Sequence, residues 1–102
     1  MAETQATINQ WQDEQFPDAT REGVTKHLQE ELEEFSTALD LSGTSNDILL
    51  EQGFEAADVV ILIYAWAAKN NITNFHGFID EKMRINRERK WNIQPDGTGR
   101  HQ

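Results

Sequence analysis

The chain has 102 residues, with 18 Asp and Glu against 9 Lys and Arg, a net charge of −9 and no cysteine. That length points to a single domain over residues 1–102, burying roughly 60–70% of its unfolded surface, a core with little margin. The missing cysteines exclude a disulfide framework, thiolate zinc sites and thiol catalysis. The acidity excludes coating a phosphate backbone. The apolar run Val59 to Ala68 is far short of the ~20 residues that span a bilayer, and Met1 to Asn9 carries no export pattern. The expectation is a cytoplasmic protein with neither a nucleic-acid nor a membrane partner.

Apolar spacing and turn residues predict an all-α chain of about four helices. The first runs from about Glu3 to Gln15, with Ile8 and Trp11 on one side. The second follows Phe16-Pro17-Asp18 and reaches about Asp40, its stripe being Val24, Leu28, Leu32, Phe35 and Leu39. After the turn cluster Leu41 to Asn46, Ser45 is a good N-cap for a third helix ending near Asn70-Asn71. Its centre, Val59 to Tyr64, is rich in strand formers but has no second strand to pair with, so a helix is expected. Being apolar on nearly all sides, it should be central and covered all round. A fourth helix runs from Thr73 or Asn74 to about Trp91, and residues 93–102, with Pro95, Gly97 and Gly99, read as an extended, flexible tail.

The charges are segregated. Glu22 to Asp58 holds ten acids against Lys26, whereas Lys82 to Lys90 holds five bases against Glu88. With Leu28 as reference on the second helix, Glu31 and Glu34 fall at about 300° and 240°, along one edge of the apolar stripe, with His27 near 260°. Carboxylates three apart on a helix can share an ion, although a solvated acidic face is the commoner explanation of such a run taken alone. Asp58 is the stronger clue, because it interrupts an apolar helix where an unpartnered buried carboxylate costs several kcal/mol. Glu55 and Asp58 repeat the spacing of Glu31 and Glu34. Four oxygen donors without a soft ligand favour Mg²⁺, or Mn²⁺ as a substitute, over zinc; a salt bridge to Arg or Lys is the alternative. On the fourth helix Lys82, Asn86 and Arg89 continue the apolar face of Phe75, Phe78 and Ile79, which calls for an anionic partner, either the acids or a phosphate chain.

Taken together, Glu30-Glu31-Leu32-Glu33-Glu34, Glu55-Ala56-Ala57-Asp58 and Lys82-Met83-Arg84-Ile85-Asn86-Arg87-Glu88-Arg89 resemble the motifs of the MazG-like all-α nucleoside triphosphate pyrophosphohydrolases. The likeness is greatest to a small single-domain branch described as dATP/dGTP pyrophosphohydrolase-like, and extends through Arg89-Lys90-Trp91, Asp96-Gly97 and His101. The resemblance implies Glu31, Glu34, Glu55 and Asp58 as Mg²⁺ ligands; with a metal so held, Glu31 or Glu34 could serve as general base. It implies Lys82, Asn86 and Arg89 as phosphate or sugar contacts; base preference does not transfer, and His27, Trp11 and Trp91 are candidates for holding the base. It further implies hydrolysis of a nucleoside triphosphate between the α- and β-phosphates, in a helical bundle completed as a homodimer or homotetramer. The competing readings are a non-catalytic acidic interaction module, and the same fold acting on a non-canonical or phosphoribosylated nucleotide.

Overall fold

The computed structural model describes residues 2–41, 43 and 45–102; of the expected turn cluster, Ser42 and Thr44 lie outside them. The described residues form α1 (Gln5–Gln15), α2 (Arg21–Leu39), α3 (Asn46–Lys69), α4 (Phe75–Glu88), β1 (Trp91–Ile93) and β2 (Gly99–His101). Each helix starts where a side chain can take up a free amide. Thr4 forms a capping box with Thr7, and Thr20, Ser45 and Asn74 accept from Gly23, Ile48 and Gly77. α3 stops because Asn71 adopts a left-handed φ of 61°. Ile72 then donates back to Ala67 O at 2.8 Å and Asn71 to Ala68 O at 3.1 Å, closing the last turn. No described helix is long and apolar enough to cross a membrane.

α2 and α3 form an antiparallel hairpin, and α1 lies against α3. That second contact is made by amides. Gln5 donates to Ile72 O, Asn9 to Tyr64 O and Gln12 to Ile61 O, all at 2.9–3.0 Å, so α1 runs antiparallel to α3. Gln5 also accepts from Phe75 N at 2.8 Å. The start of α4 is therefore tied to both α1 and the end of α3, where Phe75 packs edge-on against Tyr64 and Trp66.

Three expectations need correction. The tail folds into an antiparallel hairpin, pairing Trp91 with His101 and Ile93 with Gly99. Its turn is Gln94–Gly97, closed by Gly97 N donating to Gln94 O at 2.9 Å; Gly97 takes φ 88°, and Asp96 accepts from Thr98 Oγ1 and N at 2.6 and 3.0 Å. α3 is not covered all round, since Leu50 and Phe54 are 60% and 65% exposed. α4 does not lie along the acidic helices. Beyond Phe75 it projects with Phe78 and Ile79 exposed, and no ion pair among the described residues joins it to α2 or α3. The result is an open arrangement. Its radius of gyration is 16.5 Å, where a compact chain of this length has about 13 Å.

Candidate metal centre

The i, i+3 spacing on α2 and the antiparallel course of α3 bring carboxylate oxygens of Glu31, Glu34 and Glu55 within 4.8 Å of one another. Glu31 and Glu55 are half-buried and Glu34 is exposed. Glu31 Oε2 and Glu55 Oε2 are shut off from solvent without a hydrogen-bond partner. An orphaned buried oxygen is costly and needs a donor or a cation. Burial first, then the adjoining Glu34 carboxyl and the charge of Asp58, raise the Glu31 pKa, with His27 pulling the other way. Burial first, then Glu34, Asp58 and Glu51, raise that of Glu55. Three convergent carboxylates, two with an unpartnered oxygen, suit a hard divalent cation.

Asp58 departs from its expected place. It is exposed, not shielded from water, because the face of α3 that carries it opens into a groove and is not packed by another helix. It stands one turn on from Glu55, outside the cluster of three, and acts on Glu31 and Glu55 through its charge.

The groove, of about 670 Å³, runs between α1, α2 and α3 and begins at Glu31 and Asp58. Asp58, Ile61, Leu62, Ala65 and Lys69 form its α3 side. Asp58 and Lys69 are eleven residues apart, which brings them within about 20° of the same helix face and about 16 Å apart along the axis. The groove is thus charged at both ends and apolar between. His27 lies on its α2 wall, and Trp11 and Phe16, edge-on at a centroid distance of 5.7 Å, form its α1 wall. Of the three base-contact candidates, His27 and Trp11 therefore border the groove that starts at the carboxylates.

The third candidate, Trp91, belongs to the hairpin and lines neither this groove nor the acidic one beside Glu34 and Glu55. Trp91 Nε1 donates to Asn86 O at 2.9 Å instead. Lys82 and Arg89 are exposed, and Asn86 is half-buried with Oδ1 unpartnered. None of these three reaches the carboxylates within one chain. Sequence reasoning missed the groove and the amide latch beside it. The latch has a visible signal in Gln5, Asn9 and Gln12, whose spacing of four and three residues puts three amides on one side of α1.

No family's sequence profile matches this chain, and none of the curated proteins does. Among solved structures, it is similar to the cyanophage S-2L MazG-like pyrophosphohydrolase, determined with dGDP and three catalytic Mn²⁺ ions per active site. The two share 30% identity over 96% of this chain and 92% of that one, with a TM-score of 0.66. With that degree of likeness along almost its whole length, and a carboxylate cluster where the motifs fall, the chain belongs to the MazG-like pyrophosphohydrolases, hydrolases of nucleotide phosphoanhydride bonds.

Proposed function

We propose that the chain hydrolyses a nucleoside triphosphate between the α- and β-phosphates, releasing a nucleoside monophosphate and pyrophosphate, with Mg²⁺ as metal and Mn²⁺ as a substitute. The observation that carries this reading is the pair of orphaned oxygens on Glu31 and Glu55 beside Glu34. Glu31, Glu34 and Glu55 hold the metal, and Asp58 completes the set from the groove side. When bound, a divalent cation supplies charge neutralisation for the phosphates and polarises the scissile group.

The remaining steps belong to the side chains. Glu34, the exposed member of the cluster, takes the proton of the water that attacks the α-phosphorus in line. The bond to the bridging oxygen breaks and pyrophosphate leaves. Trp11 gives the base a stacking face in the apolar stretch of the groove, which sets the phosphates toward the carboxylates. Lys82, Asn86 and Arg89 neutralise the leaving pyrophosphate, and they do so from a second copy. Oligomerisation is supported by the accessible surface of one chain, 7990 Å², against about 5,900 Å² for a compact monomer of this mass. Leu49, Leu50 and Phe54 are the exposed apolar residues such a partner would cover.

The test is incubation with a panel of nucleoside triphosphates and Mg²⁺, resolving products by chromatography. The expected products are monophosphate and pyrophosphate. Inorganic phosphate with diphosphate would place the cut elsewhere, and no turnover of any nucleotide would favour the interaction-module reading.

A further inference from the structure

Glu31 has one oxygen beside an imidazole and the other without a partner. His27 precedes it by one helical turn, and His27 Nε2 lies 3.3 Å from Glu31 Oε1. The Glu31 side chain is only 15% exposed while the His27 ring is 57% exposed. The opposite oxygen, Oε2, is buried and without a partner. A carboxylate with both oxygens loose samples several rotamers, and fixing it in one costs side-chain entropy. A donor on Oε1 removes that freedom before a cation arrives.

We infer that His27 is a positioning residue: its Nε2–H donates to Glu31 Oε1 and turns Glu31 Oε2 toward Glu34 and Glu55. This rests on the metal-centre reading above and goes beyond it, because it takes His27 out of the set that touches the base. The α2 backbone supports the role. Residues four apart stack on one face, so no loop has to order before the contact forms. Partners of this kind fix ligand orientation, and their loss typically weakens metal binding by about 10–100-fold. Asp13, Asp18 and Asp58, the other carboxylates lining the groove, form no ion pair with His27 among the described residues, so Glu31 is the acceptor.

The test is Mn²⁺ binding to the metal-free protein, followed by the electron paramagnetic resonance signal of free Mn²⁺, with no nucleotide and no turnover. His27→Leu removes the donor, whereas His27→Gln keeps an amide N–H near the position of Nε2. Glu55→Gln serves as the control for the metal centre. His27→Leu is expected to weaken Mn²⁺ binding by about 10-fold or more, with the metal-free melting temperature close to that of the wild type. His27→Gln is expected to restore binding close to the wild-type level. Equal Mn²⁺ affinity in His27→Leu and wild type overturns the inference. So does a His27→Gln protein as weak as His27→Leu, since the imidazole would then be acting as a ligand in its own right. Wild-type protein that takes up no Mn²⁺, or a Glu55→Gln protein that binds it as wild type does, overturns the metal centre itself and the role of His27 with it.

Discussion

Glu31 on α2 and Glu55 on α3 each keep one carboxylate oxygen sealed from solvent and without a hydrogen-bond partner, and both residues belong to the same cluster with Glu34. Helix packing alone gives no reason for this, because two apolar side chains would fill the same interface at no electrostatic cost. The relationship is a preformed demand for positive charge, and the measurable behaviour of the protein follows from it.

Removing one member should separate activity from stability. Glu55→Gln is expected to lower kcat/KM for the preferred nucleotide by at least the 10–100-fold that loss of an outer partner costs. It should leave the metal-free melting temperature equal or higher, since one like charge is gone. Steady-state kinetics and calorimetry on the same sample check both halves. A large drop in metal-free stability would make Glu55 a packing residue.

Acid should stabilise the metal-free protein. Glu31 and Glu55 have folded pKa values raised above the ordinary 4.5, so the native state binds their protons more tightly than the unfolded one. Stability then falls as pH rises from about the ordinary value through the raised ones. Glu81, bonded to Arg84, and Asp96, bonded to Thr98, are lowered and act in the opposite sense, losing their contribution only as pH drops below the ordinary range. Thermal melts of the metal-free protein between those regions should rise on mild acidification, and Glu31→Gln should flatten the slope.

A divalent cation should reverse that penalty. At a hundredfold excess over its Kd a ligand stabilises by about 2.7 kcal/mol, and 1 kcal/mol moves the melting point of a domain this size by about 4–8 °C. Saturating Mn²⁺ is therefore expected to raise Tm by about 10–20 °C, read by calorimetry with and without chelator. An unchanged Tm would mean the cluster holds no ion.

The latch between α1, α3 and α4 can be broken at one side chain. Gln5 donates to Ile72 O and accepts from Phe75 N, satisfying one of the free amides at the start of α4. Gln5→Ala should cost about 1–2 kcal/mol for the two bonds. Chemical denaturation measures this, and hydrogen exchange should show faster opening at Phe75.

The exposed apolar face should report on assembly. Phe54, at 65% exposure, is expected to lie in a subunit contact, so wild-type protein should sediment as a dimer or tetramer and Phe54→Glu as a smaller species. A wild-type monomer at all concentrations would reject the oligomer.

The sequence by itself determined the four helices and where they start, because caps, turn residues and apolar spacing act within a few residues of one another. Ser45 is the cap expected of it, α3 ends at Lys69 with Asn70 as its cap beside the expected Asn-Asn pair, and α4 starts at Phe75, next to the expected Thr73 or Asn74. It also determined which acids share a face, since Glu31 and Glu34 are neighbours on any α-helix that contains them. Only the tertiary structure decided that Glu55 joins them while Asp58 faces a groove, because that depends on how α2 and α3 are rotated about their own axes and on what α1 leaves uncovered. It also decided that α4 stands away from the acidic helices, a point no single-helix pattern can carry. The hairpin around Gln94–Gly97 read as an extended tail, because strands of three residues offer too little alternation to be told from one. Local geometry is written in short stretches of sequence; which faces meet is set by loops and by the balance of surfaces left to bury, and in this chain much of that surface remains open.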